Sequence, residues 1–102
     1  MLESFIQKKL VKWFQKHGWM VIRLRATHPP SMPDLMVLRK GKMKFVEVKQ
    51  PGKDPTELQQ RMIDKLKDEG FEVLVMDAVP EEKKLSWDDH YPNLSSSAKK
   101  IT

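Results

Sequence analysis

The sequence predicts an α/β fold, in which a mixed four-stranded sheet is flanked by helices and the elements follow the order αβββαβ. Two segments repeat apolar residues at helical spacing, and four shorter segments alternate apolar with polar residues or form short apolar runs, as strands do. The second helical segment separates the third strand from the fourth. It is long enough for a right-handed crossover, which allows those two strands to lie parallel.

The first helix is predicted over residues 2–17, where a stripe of side chains recurs three and four positions apart. The stripe comprises Leu2, Phe5, Ile6, Leu10, Trp13, Phe14 and His17. Four lysines fall mostly on the other face, namely Lys8, Lys9, Lys12 and Lys16. Gly18 is expected to end the helix, because glycine adopts left-handed backbone conformations without strain.

Three strands are predicted next, over residues 19–25, 35–39 and 43–49. The segment 27–33 between the first two contains three prolines, which exclude a helix or a central strand, so it is expected to be a loop. Residues 40–42, with a central glycine, are predicted to form a hairpin turn. The second and third strands are therefore expected to run antiparallel.

The second helix is predicted to begin at an Asp-Pro-Thr-Glu sequence, with Asp54 as N-cap, Pro55 at the first helical position and Glu57 at the third. Its apolar stripe comprises Leu58, Met62, Ile63 and Leu66. Gly70 is expected to end this helix, and the run 71–76 is predicted to be the fourth strand.

Length and composition favour one folded domain over residues 1–76. Residues 77–102 lose periodicity and carry prolines and a serine run, so an irregular tail is expected, with a short helical turn near Trp87 and a candidate dimer contact. The absence of cysteine excludes disulfides and thiolate metal sites. No apolar run approaches the length of a membrane span and no secretory signal is visible, so a cytoplasmic protein without a membrane partner is the expectation.

The net charge of +5 is unevenly distributed along the chain. Residues 1–53 carry twelve Lys and Arg against three acids, whereas residues 54–102 carry seven against eleven acids. A basic surface attracts phosphate backbones because binding releases counterions. Many soluble proteins have lysine-rich surfaces, however, so charge alone favours a nucleic-acid partner only weakly.

Two acids and a lysine interrupt segments that otherwise have the composition of buried strands. Strand interiors rarely hold charged side chains unless these are paired or bind a metal. Glu47 and Lys49 lie two residues apart in the third strand and therefore share a face. Asp34 precedes the second strand, and the start of that strand lies beside the end of the third in a hairpin. The sequence thus predicts that the three side chains meet.

Two adjacent carboxylates repel each other, and a divalent cation relieves that repulsion. Mg²⁺ takes one or two carboxylates and completes its coordination with water and substrate phosphate, and a neighbouring lysine can stabilise charge on the phosphate. This group of two acids and one lysine therefore indicates metal-dependent phosphodiester hydrolysis. A surface Glu-x-Lys ion pair is the alternative interpretation. The Pro33-Asp34 pair at hairpin distance, the apolar flanking residues and the basic half of the chain favour the active site.

These motifs in this order resemble the PD-(D/E)xK nuclease superfamily and, within it, the VRR-NUC family of virus-type replication-repair nucleases. The resemblance covers about residues 1–76 and implies a restriction-endonuclease-like core, which has the same αβββαβ order. The family motifs correspond to Glu3 in the first helix, to residues 31–34 (SMPD), to residues 47–52 (EVKQPG) and to Gln59 in the second helix.

The resemblance also implies residue roles. The implied metal ligands are Asp34, Glu47, the carbonyl of Val48 and Glu3, the last acting directly or through water. Lys49 would be the catalytic lysine, acting with Asp34 and Glu47, and Gln59 would support the site from the second helix. Glu3 is alternatively an acid favoured by the helix dipole, and Gln59 is alternatively a boundary polar residue. Ser31 replaces the family glycine, and its small side chain is expected to be tolerated.

The activity implied by the resemblance is that of a Mg²⁺-dependent, structure-selective DNA endonuclease acting on branched DNA such as Holliday junctions, with Mn²⁺ able to substitute. A four-way junction presents two symmetric strands, so a homodimer is expected. Two alternatives remain: a non-catalytic DNA-binding module that keeps the fold, and a sequence-specific restriction-type endonuclease. The small size suggests a phage or mobile-element protein acting in the host cytoplasm.

Four residues outside this set are candidates for contact with DNA. Arg23 and Arg25 are predicted to share a strand face and to contact phosphates, as is Lys53 near the site. His28, in the loop before the site, is a weaker candidate, because loop histidines are usually only solvated. The three histidines of the chain are too dispersed to suggest a zinc site.

Overall fold

The computed structural model of the protein describes residues 2–81. Its elements are α1 (Glu3–Lys16), β1 (Met20–Arg23), β2 (Leu35–Arg39), β3 (Lys42–Val48), α2 (Glu57–Asp68) and β4 (Glu72–Met76). The predicted order αβββαβ is therefore confirmed. The helical turn near Trp87 and the dimer contact predicted for the tail lie outside the described residues.

The four strands form one mixed sheet in the order β1-β2-β3-β4. β2 pairs antiparallel with both β1 and β3, whereas β3 and β4 are parallel, as the crossover through α2 allows. Lys40 and Gly41, with φ of 48° and 80°, make the tight turn between β2 and β3. Two consecutive left-handed residues suit the twist of a two-residue hairpin. Leu35 pairs with Val46, so the start of β2 lies beside the end of β3.

The two helices cover opposite faces of the sheet. α1 packs on the face that carries the larger core, which comprises Ile6, Leu10, Trp13, Phe14, Trp19, Leu35, Val37, Val46, Val48, Leu74 and Met76. α2 packs on the other face through Ile63, which contacts Phe45 and Val73. Leu58 was expected in the apolar stripe of α2, but it is 54% exposed, because Ile63 faces the sheet instead. Neither helix is long and apolar enough within residues 2–81 to cross a membrane.

The first strand is shorter than the predicted range 19–25. The amide of Leu24 still donates to the carbonyl of Asp34 at 2.9 Å, but Ala26 has a left-handed φ of 49°, so the chain leaves the sheet there. Arg25 consequently lies beyond the strand. The prediction that Arg23 and Arg25 share a strand face is therefore wrong.

The predicted N-cap of the second helix, Asp54, is also wrong. Thr56 is the N-cap, and the helix begins at Glu57. The Thr56 hydroxyl accepts from the amide of Gln59 at 3.2 Å, while Oε1 of Gln59 accepts from the amide of Thr56 at 2.9 Å. This reciprocal pair is a capping box, which satisfies two amides that no helical carbonyl can reach.

A Thr56→Ala variant is expected to lower the free energy of unfolding by about 1 kcal/mol, because it removes the acceptor for the Gln59 amide. The urea midpoint of circular dichroism measures this loss. Thr56→Ser keeps the hydroxyl and is the matched control, so it should unfold close to the wild-type midpoint. Equal losses in the two variants would contradict a capping role for the hydroxyl.

Candidate active site

The hairpin between β2 and β3 brings the predicted acids together. Asp34 precedes β2, and its Oδ2 accepts from the amide of Val48 at 2.8 Å. The amide of Lys49 donates in the opposite direction, to the carbonyl of Met76 in β4 at 3.0 Å. Successive amides of a strand alternate sides, so the backbone of Val48 faces Asp34 and that of Lys49 faces β4.

The proline of the Pro-Asp motif leaves a main-chain oxygen available at this point. Extending the β2–β3 register by two residues places Pro33 opposite Val48. Proline has no N–H to donate to the Val48 carbonyl, and Asp34 already accepts the Val48 amide. The Val48 carbonyl therefore faces the same side of β3 as the Asp34 carboxylate, and its role as a ligand stays a prediction.

The ammonium group of Lys49 lies at the centre of the site. Its Nζ donates to Oε1 of Gln59 at 3.0 Å and lies 3.9 Å from Oε2 of Glu47 on the same strand face. Oε2 of Glu3, from the first turn of α1, is 3.6 Å away. One buried lysine thus joins β3 to both helices, and the structure brings together all the side chains that the sequence assigned to the catalytic set.

Gln59 has two roles in this geometry. Its Oε1 accepts both from Nζ of Lys49 and from the amide of Thr56, so the capping box that begins α2 also directs the amide oxygen toward the lysine. Analysis of the sequence missed the contribution of Thr56. The Thr-x-x-Gln spacing is a capping-box pattern that identifies Thr56, but the Asp-Pro-Thr-Glu sequence two residues earlier has the same spacing and favours Asp54.

The site is electrostatically unbalanced toward negative charge. Burial and, to a smaller extent, the neighbouring carboxylate of Asp34 raise the pKa of Glu47, and the ammonium of Lys49 lowers it by less, so the net pKa is about 8. Burial likewise raises the pKa of Asp34, against the lowering effect of the Val48 amide. Glu3 adds to both shifts. One lysine does not compensate three carboxylates, so a bound cation would stabilise the ionised site.

The donor set fits a hard cation that keeps water in its coordination shell. No cluster of three or more His, Cys, Asp or Glu arranged to hold a metal ion occurs among residues 2–81. The available donors are the carboxylates of Asp34 and Glu47 with the carbonyl of Val48, all oxygen. Mg²⁺ is commonly bound through only one or two carboxylates, with water and phosphate oxygens in its other positions. Glu3 contacts Lys49, and its role as a ligand stays a prediction.

The predicted DNA contacts are exposed residues near the same end of the sheet. Arg23 ends β1 and pairs with Leu35, next to Asp34. Lys53 lies in the connection between β3 and α2, and its amide donates to the carbonyl of Gln50 at 3.0 Å. Arg25 and His28, in the loop before β2, are also exposed. Their contacts with DNA stay predictions.

The chain is similar to one known family and to two known proteins. The family model described as VRR-NUC domain matches residues 2–80. A protein named as a nuclease, p44 of Acyrthosiphon pisum secondary endosymbiont phage 1, is 36% identical over 77 residues, which span 74% of this chain and 83% of that protein. A solved VRR-NUC domain structure matches with a TM-score of 0.73 and 30% identity, over 87% of this chain and 96% of that one. Every residue of the candidate site lies within the range that the family model matches.

Proposed function

This chain belongs to the VRR-NUC family of nuclease domains, and from that premise we propose that it is a Mg²⁺-dependent endonuclease that cuts branched DNA, such as Holliday junctions. The observation that carries the proposal is the meeting of Asp34, Glu47 and Lys49 at the end of the β2–β3 hairpin. A non-catalytic DNA-binding module would not need a buried lysine among carboxylates that are costly to ionise.

In the proposed reaction, the protein holds the cation and orders the groups around the scissile phosphate. Asp34, Glu47 and the Val48 carbonyl would hold Mg²⁺, and Mn²⁺ could replace it. Bound Mg²⁺ would supply Lewis-acid stabilisation of the negative charge that develops on the phosphate. The ammonium of Lys49 would donate to a phosphate oxygen or to the attacking water, from a position fixed by its hydrogen bond to Gln59.

Selectivity for junctions is proposed to depend on a homodimer. A four-way junction offers two symmetric scissile strands, which a two-fold symmetric pair of active sites could reach together. β4 is an edge strand of the sheet and, with the residue just before it, leaves two apolar side chains accessible. Phe71 is 44% exposed and Val75 is 40% exposed. Those two residues support an interface through the final strand, whereas the alternative interface through residues 87–91 lies outside the described residues.

The test is a cleavage assay on four DNA substrates of equal length: a four-way junction, a flap, a splayed duplex and a linear duplex. Each is incubated with Mg²⁺, with Mn²⁺ or with EDTA. The expected result is metal-dependent cutting of branched substrates, with the linear duplex left intact. Asp34→Asn keeps an acceptor for the Val48 amide but removes the charge, so it should fold and fail to cut.

The alternatives predict different results in the same assay. Binding of DNA without cutting in either metal would indicate a non-catalytic module. Cuts at a fixed sequence in the linear duplex would indicate a restriction-type enzyme. Sedimentation of the free protein and of the junction complex measures the stoichiometry, and one protomer per junction would contradict the proposed dimer.

A further inference from the structure

The exposed side of α1 carries a continuous row of positive charge, the basic ridge, formed by Lys8, Lys9, Lys12 and Lys16. Positions 9, 12 and 16 are separated by three and four residues and therefore line one face of the helix, with Lys8 in the adjacent row. The buried residues of α1 face the sheet instead. All four lysines are exposed to solvent.

The helix gives this ridge no counter-charge of its own. Glu3 is the only acid in the sequence of α1, and it is directed to Lys49 in the site. Phe5 begins the same row, is 49% exposed, and has its ring 5.2 Å from Nζ of Lys9. Such a cation–π contact restrains the ammonium near the first turn of the helix.

α1 begins at the candidate site, and the ridge runs along the same helix on the side turned away from Glu3. Oε2 of Glu3 is 3.6 Å from Nζ of Lys49. With a rise of about 1.5 Å per residue, Lys8 lies about 8 Å and Lys16 about 20 Å along the helix axis from Glu3. The ridge from Lys8 to Lys16 is therefore about 12 Å long, which corresponds to three or four phosphates of one strand spaced at about 3.4 Å along the duplex axis.

We propose that the basic ridge binds the phosphate backbone of the duplex arm that flanks the scissile phosphate. The proposal rests on the proposed DNA-cutting function and extends it, since it assigns the path of the substrate across the protein. Lysine contacts to phosphate carry no sequence information, so the ridge positions the arm without reading its bases. The ridge would thus raise affinity for any duplex arm, whereas selection of branched DNA would depend on other parts of the molecule.

The test compares two double variants that remove the same charge. Lys9→Gln/Lys12→Gln alters the ridge, and Lys65→Gln/Lys67→Gln alters two exposed lysines in the last turn of α2. Both are made in the Asp34→Asn background, so that DNA is bound without being cut. Fluorescence anisotropy measures Kd for a junction and for a linear duplex over a range of salt concentrations.

The ridge variant is expected to lower the slope of log affinity against log salt by about 1.8, since each phosphate contact in duplex DNA contributes about 0.9. The affinity at low salt should fall by at least about tenfold for both DNA forms. The α2 variant should keep the wild-type slope. A ridge variant that matches the α2 variant in slope and affinity would overturn the proposal.

Two further results separate this proposal from its premise. If the wild-type protein cuts DNA and the ridge variant binds DNA with an unchanged slope, the ridge proposal fails and the proposed function stands. If the wild-type protein neither cuts nor binds DNA, both fail together. Sedimentation of the ridge variant tests whether the ridge binds a second copy of the chain instead of DNA. Loss of self-association in this variant would show such a contact and would overturn the assignment to DNA.

Discussion

The Glu47→Gln variant is expected to be more stable than the wild-type protein above neutral pH in metal-free buffer, and to lose cleavage of DNA. Glu47 is only 2% exposed, and burial together with the neighbouring Asp34 raises its pKa to about 8. Glutamine keeps the shape of the side chain without the charge. The substitution therefore removes an electrostatic cost of folding together with a ligand of the proposed cation.

The direction of the pH dependence follows from the two pKa values of Glu47. Its pKa is about 8 in the folded protein against an ordinary value of 4.5, so between these values the folded state holds a proton that the unfolded state has lost. The contribution of Glu47 to the free energy of unfolding is complete below pH 4.5 and is lost as the pH rises through 8. At about 1.4 kcal/mol per pKa unit, the loss is on the order of 5 kcal/mol.

Urea unfolding at pH 6 and pH 9, with EDTA or with Mg²⁺, measures this effect. The wild-type protein should lose stability between the two pH values in EDTA and recover it in Mg²⁺, since a cation favours the ionised carboxylate. Glu47→Gln should show a smaller dependence on pH and on Mg²⁺. Glu69→Gln, an exposed carboxylate at the end of α2, is the control and should behave as wild type. A wild-type stability that rises between pH 6 and pH 9 in EDTA would contradict the assignment.

Local rules were sufficient to predict the half of the site that lies on the hairpin. The two-residue period of β3 places Glu47 and Lys49 on one face, and the turn at Gly41 sets Asp34 beside them. Both rules operate over short sequence distances and allow few alternatives. For that reason, the position of Asp34 beside the end of β3 could be predicted from the sequence, whereas its hydrogen bond with the Val48 amide is a finding of the structure.

The other half of the site depends on how the helices dock, which periodicity does not specify. The positions of Glu3 and Gln59 relative to Lys49 were predicted from the family motifs alone, because many orientations of α1 and α2 satisfy the same apolar stripes. The N-cap of α2 was mispredicted for a related reason. Asp54 and Thr56 each begin a capping pattern, and the structure shows the one whose third helical residue, Gln59, also accepts from Lys49. The hydrogen bond between Lys49 and Gln59 therefore accompanies the choice of Thr56 over Asp54 as the N-cap.

The Lys49→Ala variant is expected to reduce the rate of DNA cleavage by about 10² to 10³, the range measured when one positioned donor to a developing charge is removed. Binding of DNA should change little by comparison, because the exposed lysines and arginines are retained. Lys49→Arg should not restore the rate, since the site holds a single ammonium 3.0 Å from Gln59 and 3.9 Å from Glu47, and a guanidinium fork does not fit those partners equally. Single-turnover cleavage of a four-way junction measures the rate.

The same assay tests whether Gln59 acts through the lysine. If Gln59 only positions Lys49, Gln59→Leu should slow cleavage in the wild-type protein but add little to Lys49→Ala, because the group that it positions is already absent. Additive losses would mean that Gln59 contributes by a route other than Lys49, such as its part in the capping box of α2. Lys65→Ala, an exposed lysine of α2, is the control and should cleave at the wild-type rate. A cleavage rate for Lys49→Ala within a few-fold of the wild-type rate would exclude Lys49 as the catalytic lysine.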